Sequence, residues 1–338
     1  MTSISGMHDI VVIGASSGGV DALLQLVAGL PPDLPAAVFV VLHVEPGFAS
    51  RLPELLTGRG PLRAKHAMHG EAIVPGRIYI APPDNHLMIR PGYLHVVRGP
   101  KENGHRPAVD ALFRTAATVY GPRVIGVVLT GYLDCGTAGM MSIRSRGGLT
   151  VVQDPRDASV PDMPRSVISH VEVDHIAPLQ EIPGLLSQLV PQPAGMAPPH
   201  VPDALLEIEG DEPGVAAPDF VCPICQGKLT ESRLDGFERF RCHVGHAFSL
   251  ESVAAEQADE AERALWAAVR ALEESAAVAR RLALTASGHM RQKFEEKEET
   301  QSQQAKMIRR ILLGGNDGLL SRSDVEEVKS LAPKRTLE

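Results

Sequence analysis

Between residue 9 and about residue 190, short apolar runs rich in β-branched residues alternate with stretches of helical periodicity, and this alternation constrains the fold more than any other feature. The strand-like runs include DIVVIG (9–14), AAVFVVLHV (36–44), RVIGVVLT (123–130) and LTVVQD (149–154), and helical patterns cover 18–30, 107–119, 137–146 and 179–190. The runs are apolar at consecutive positions, as strands buried on both faces require, and helices between them supply the crossovers of a parallel sheet. The expected class is α/β, a doubly wound, mostly parallel, Rossmann-like sheet. Between residues 62 and 99 the runs RIYIAPP, HLMIRPG and LHVVRG stand too close together for crossover helices and predict a local antiparallel excursion.

Such a sheet uses little more than half of a 338-residue chain, so further units must follow. Pro191 to Pro218 holds seven of the 27 prolines with little periodicity and reads as an extended linker. A compact segment with paired cysteines and aromatics follows at 219–248, and from Ile224 to Ala332 there is no proline. Within that span Leu265, Val269, Leu272, Ala276, Ala279 and Leu282 recur at spacings of three and four, an amphipathic helix with a narrow apolar stripe that Gly288 should break. A second, more polar helix is expected from about 290 to 313, ending at Gly314-Gly315. The stripe suits another helix, either from the same chain or from a partner or second copy. The division expected is 1–190, a linker at 191–218, a small module at 219–248 and a helical tail at 249–338.

Charge removes one class of function. Lys and Arg number 33 against 41 Asp and Glu, a net charge of −8, which is the wrong sign for a surface that neutralises many phosphates, so no nucleic-acid partner is expected. The start, MTSISGMHDIVVIG, lacks a basic leader, and no apolar run approaches the roughly 20 residues that span a bilayer. No membrane insertion and a cytoplasmic location are expected. In a reducing compartment the four cysteines read as ligands or thiols, not disulfides.

The first strand ends in Gly14-Ala15-Ser16-Ser17-Gly18-Gly19 and runs straight into a helix. A serine on such a turn is exposed at the carboxyl edge of the sheet, near helix-start N–H groups that can stabilise an oxyanion. Gly-rich turns here also bind nucleotide phosphates, but Ser16 breaks the G-x-G-x-x-G fingerprint and no lysine follows. A nucleophilic Ser16 needs a base. The second strand ends in His43, and neighbouring parallel strands present their ends at one edge, so His43 is the candidate. A carboxylate to orient the imidazole is sought in the loop Gly131-Tyr132-Leu133-Asp134-Cys135-Gly136, where Asp134 is the candidate; a helix-capping role for it is the competing reading.

IGASSGG, VVLHV followed by Glu45-Pro46-Gly47-Phe48, the segment His105-Arg106-Pro107-Ala108-Val109-Asp110, and LTGYLDCGTAGM together resemble the catalytic domain of the chemotaxis protein-glutamate methylesterases, the CheB family, over roughly residues 8–190. The resemblance implies Ser16 as nucleophile, His43 as general base, and an oxyanion hole from backbone groups near Ser17 and Tyr132. It implies a substrate too: methylated glutamates on methyl-accepting chemotaxis receptors, hydrolysed with release of methanol, with glutamine deamidation as a possible second activity. Two departures stand out. Family members usually carry an N-terminal phosphorylatable receiver domain, whereas the catalytic pattern here begins almost at residue 1, so no phosphorylation control in cis is expected. The position matching the family's catalytic aspartate is Cys135, with Asp134 one residue earlier. Three readings follow: Asp134 substitutes through a shifted loop, Cys135 leaves a slow enzyme, or the domain only binds its target. The segment from Gln153-Asp154-Pro155 to Asp162-Met163-Pro164-Arg165 resembles a family loop at the rim of the site, and no roles are assigned within it.

The remaining cysteines form the second constellation. Cys222-Pro-Ile-Cys225, sixteen further residues, then Cys242-His243-Val-Gly-His246 offer two ligand pairs across the hairpin-like segment Leu229–Arg241. C-x2-C followed by C-x3-H is a structural zinc pattern without an open catalytic position. Cys222, Cys225, Cys242 and His246 are the expected ligands, with His243 the competing fourth, and no cofactor is expected for catalysis. The pattern and the helix behind it resemble an extension seen on some CheB-like proteins, which adds a small zinc module and C-terminal helices to the expected fold.

Overall fold

All residues of β1 (Ile10–Ala15) are buried, and their alternation sets what covers the sheet. Ile10 and Val12 enter one apolar layer, Val11, Ile13 and Ala15 the other, so helices are needed on both faces. The computed structural model describes residues 6–44, 46–47, 50–195, 215–234 and 237–313. After β1 come α1 (Gly19–Ala28), β2 (Ala37–Leu42), α2 (Leu52–Arg59), β3 (Arg63–His66), β4 (Arg77–Ile80), β5 (His86–Arg90), β6 (Tyr93–Val97), α3 (Val109–Tyr120), β7 (Val124–Val128), α4 (Thr137–Ser145), β8 (Leu149–Gln153), α5 (Asp162–His170), β9 (His175–Ala177) and α6 (Ile182–Leu189). Seven strands form one sheet in the order β3-β4-β2-β1-β7-β8-β9, every neighbouring pair parallel. Apolar residues of α3, α4 and α5 fill one layer, and those of α1, α2 and α6 the other. The order runs outward from β1 through β2 and then resumes on its other side at β7, which puts the switch point of the doubly wound sheet between β1 and β7.

The antiparallel excursion is smaller than its sequence suggests. β5 and β6 form an antiparallel hairpin, but β4, the run RIYI, inserts in parallel between β2 and β3. Its burial explains why: Ile78 and Ile80 lie in one layer and Tyr79 in the other, so no face of it is left for solvent. Helices α2 and α5 have no counterpart among the helical stretches read from the sequence, being short and carrying Pro53 and Pro164.

The second sheet is antiparallel, β10 (Val215–Val221), β11 (Lys228–Leu234), β12 (Phe237–Cys242) and β13 (Ala247–Ser249), followed by α7 (Leu250–Thr285) and α8 (Gly288–Leu313). Contacts divide the chain into Met1–Ala254 and Ala255–Glu338, so this sheet joins the parallel domain in one unit. The linker expected at 191–218 is shortened at both ends: Pro193 bridges Met7 and β10 begins at Val215. The stretch 196–214, Gly314-Gly315, and Glu45 and Phe48 lie outside the described residues.

In the second unit α7 pairs with α8 of its own chain, through Arg280–Glu298 and Arg309–Glu273, both at 2.6 Å, and a bond of 2.8 Å from Gln301 to Ser275. The buried stripe runs Val269, Ala276, Ala279 and Ala283, with Leu282 left 43% exposed. Among the described residues no helix is long and apolar enough to cross a membrane.

Candidate active site

Ser16 follows β1 directly, and its N–H continues the parallel pairing by donating to the Thr130 carbonyl beyond β7 (3.0 Å). The turn closes with Gly19 N–H on the Ser16 carbonyl at 2.8 Å, while Gly18, at φ +76°, takes the left-handed conformation that lets α1 start at once. Across the switch point Gly131 must be glycine, since a Cβ there would strike Met163 and lie 2.9 Å from Ser16 Cβ. Thr130 ties the two edges together: its hydroxyl donates to Ser17 O (2.9 Å) and accepts from Val160 N–H (2.9 Å), and its N–H donates to Gln153 Oε1 (2.8 Å). Gln153, Val160 and Met163, from the segment without assigned roles, thus frame the turn.

His43 N–H donates to Ala15 O at 3.1 Å, extending the β2–β1 ladder by one residue. That register delivers the imidazole to Ser16, with Nδ1 3.1 Å from Oγ. The face of the ring stacks on His105, ring centres 3.7 Å apart. Ser16, His43, Lys101, His105 and Arg106 line a cleft of about 310 Å³, and Arg106 is held there by Asp84, which accepts at 2.6 and 2.8 Å. Burial, and then the neighbouring His105, hold His43 well below the usual imidazole range. Burial and the Lys101 cation lower His105 to about 4. Both rings are therefore neutral at pH 7, and a neutral His43 can accept the serine proton. If His43 is the base, its depressed pKa keeps it unprotonated as pH falls through the usual imidazole range, so the acid limb of kcat/KM should lie below 6.5. A pH-rate profile whose acid limb is centred at 6.5 or above would contradict this.

The structure brings Ser16 and His43 together, but not Asp134. The Asp134 carboxylate is buried and accepts a hydrogen bond from Ser252 Oγ at 3.0 Å, so the expectation that a shifted loop turns it to His43 is not met. Leu133, directly before Asp134, takes the left-handed conformation at φ +60°. His43 Nε2 is buried with no hydrogen-bond partner among the described residues. Cys135 is buried against Asp110; burial, then the negative charge of Asp110, push its thiol well above the ordinary range, and a neutral thiol cannot balance an imidazolium. Asp110 itself accepts from Gly136 N–H (3.0 Å), Gly139 N–H (2.7 Å) and the Asn103 amide (2.8 Å), and burial raises it to about 6.

The second constellation also converges. One ligand atom each from Cys222, Cys225, Cys242 and His246 lies within 4.8 Å of all the others. The Cys225–Cys242 sulfurs are 3.5 Å apart, and His246 Nδ1 lies 3.7 and 3.5 Å from the sulfurs of Cys222 and Cys242. Tetrahedral zinc with bonds of about 2.3 Å to sulfur and about 2.0 Å to nitrogen requires ligand separations of roughly 3.5 to 3.8 Å, so the donor set and its spacing fit. His243 stands outside the group, against Gly227. Asn103, Glu102, Ser249 and Ser252, which connect this module to the cleft, carry no motif; His105 sits inside a quoted segment but is not distinguished there.

A family model for CheB methylesterase matches residues 11–186. A protein-glutamate methylesterase/protein-glutamine glutaminase of Ralstonia nicotianae is 39% identical over 193 residues, 56% of this chain and 50% of that protein. Its namesake 1 in Geobacter metallireducens is 38% identical over 185 residues, 54% of this chain and 51% of the other. Namesake 3 in Burkholderia lata is 41% identical over 177 residues, 51% and 48% of the respective chains. The chain thus spans about half the length of the curated relatives it matches. The crystal structure of the Thermotoga maritima CheB methylesterase catalytic domain aligns with a TM-score of 0.53 at 37% identity, covering 55% of this chain and 100% of that one.

Proposed function

The chain belongs to the CheB methylesterase family, and from that premise we propose that it hydrolyses methyl esters of glutamate side chains on chemoreceptors, with Ser16 as nucleophile and His43 as its base. The contact of 3.1 Å between Ser16 Oγ and His43 Nδ1 at the sheet's switch point carries this reading. Oγ attacks the ester carbonyl while Nδ1 takes its proton, and backbone groups near Ser17 and Tyr132 receive the oxyanion. The proton then goes to the departing methoxide, methanol leaves, and water admitted to the acyl-enzyme repeats the sequence to free the glutamate and Ser16. Deamidation of glutamine follows the same path with ammonia as leaving group, as the relatives' names suggest. The protein acts in the cytoplasm, where receptor signalling helices lie.

The site works as a dyad: among the described residues none accepts from or charge-balances His43 at Nε2, and Asp134 instead accepts from Ser252 of the helix that follows the module. Turnover is accordingly slow. The Cys3His cluster holds a structural zinc and takes no part in the chemistry. Slow labelling of Ser16 by a fluorophosphonate, lost in Ser16→Ala along with methanol release from methylated receptor, is the expected result. Equal labelling of Ser16→Ala would remove Ser16 from the mechanism. Capture of methylated receptor without methanol release by either form would leave only binding, a reading favoured by the unpaired His43 Nε2.

A further inference from the structure

The antiparallel module and the catalytic cleft share a single stretch of chain, residues 101–106. Immediately after the ligand His246, Ala247 runs parallel to Glu102, its N–H donating to Lys101 O (3.2 Å) and its carbonyl accepting from Asn103 N–H (2.7 Å). The Asn103 side chain then spans the seam: Oδ1 accepts from Ser249 N–H of β13 at 3.0 Å, and Nδ2 donates to Asp110 at 2.8 Å. Beside it Glu102 takes two bonds from Arg114 of α3, at 2.8 and 3.1 Å, and faces Arg239 of β12 at 3.7 Å. Ser252, just beyond the end of β13 at Ser249, donates to Asp134 at 3.0 Å.

All of the polar side chains that bond across this seam, except Arg114, are buried. A tethered domain that merely rested on its neighbour would not need to desolvate so many polar groups; buried and mutually satisfied, they commit the two parts to one arrangement, because displacing either leaves donors and charges unpaired. The connection onward to the reacting atoms is short. Glu102 and His105 exchange backbone hydrogen bonds of 3.1 and 2.9 Å, so whatever fixes Glu102 fixes His105, and the His105 ring is stacked on His43.

We propose that the Cys3His module is a positioning element of the active site: β13, through Asn103 as the central link, holds the His105 wall against His43, so that metal occupancy sets the reactivity of Ser16. The proposal rests on the metal and Ser16–His43 readings above. Cys242 and His246 are where a metal would act, since the Cys242 N–H bond to His246 O (3.0 Å) closes the knuckle from which Ala247 emerges.

The test uses the full chain and follows two quantities: the fluorophosphonate labelling rate of Ser16, and the titration of the His43 ring by NMR, which needs no activity. The groups facing His43 are Ser16, His105, Lys101 and Arg106. Removing zinc by chelation, or replacing Cys225→Ser, should slow labelling about 10-fold to 10²-fold and move the His43 pKa upward as its burial relaxes. Asn103→Ala, with zinc retained by metal analysis, should do the same. Unchanged labelling and an unchanged His43 titration after zinc loss would overturn the proposal, as would an Asn103→Ala variant normal in both. A native chain that binds no zinc defeats the metal reading and the metal dependence with it. A native chain that never labels defeats the nucleophile reading, while the His43 titration still decides the positioning role. If the metal-free forms do not fold, Asn103→Ala decides alone.

Discussion

Cys135→Asp is expected to raise methanol release roughly 10²-fold to 10³-fold. Loss of the orienting aspartate from a Ser-His-Asp site costs on the order of 10⁴ in turnover, and the family resemblance puts that aspartate at residue 135. On the proposed mechanism Ser16, His43 and the turn that presents them are in place; what the described residues do not supply is a charge against the imidazolium that would form as Ser16 gives up its proton. Full recovery is not expected. Asp110 already lies beside position 135 and is raised to about 6 by burial, so a second carboxylate there meets like charge and is itself partly protonated near neutral pH. The variant should therefore gain rate and lose thermal stability. Cys135→Ser, which has the size without the charge, should gain nothing, and adding His43→Ala to the aspartate variant should erase its gain. A folded Cys135→Asp protein no faster than the native one would show that position 135 does not reach the imidazole.

Local features of the site were legible in the sequence because local chemistry creates them. A Gly-rich turn straight after an apolar strand marks Ser16, and parallel pairing of β1 with β2 carries His43 to it. The cysteine spacing marks the Cys3His cluster for the same reason. RIYI was legible as a strand but not in its pairing, since its partners β2 and β3 are chosen by burial on both faces. Asp134 shows the same boundary more sharply. Its position in the loop was plain, but its partner Ser252 lies 118 residues away, and Asn103 meets Ser249 across 146. No spacing rule covers such contacts. They arise only once the module is seated, and they decide which way the loop's carboxylate points.

Metal removal should affect the module far more than the parallel domain, with loss of hydrogen-exchange protection across β11 to β13 and retention in β1, β2 and β7. The module's apolar cluster consists of Ala217, Leu229, Phe240, Phe248 and Val253 with the ligand side chains Cys222 and Cys242, too little to hold so small a sheet alone. Structural zinc contributes about 10–16 kcal/mol to comparable small folds, so loss of a zinc held by Cys222, Cys225, Cys242 and His246 would exceed what that cluster supplies. The competing support is the seam, where Arg239–Glu102, Ser249–Asn103 and Ser252–Asp134 are buried and paired. Those pairs form only when β12 and β13 are already shaped, and their desolvation offsets much of their attraction. They transmit the module's geometry to the cleft without being able to create it. Chelated protein whose β11 to β13 amides stay protected would reverse this ordering and make the seam, not the metal, the source of the module's fold.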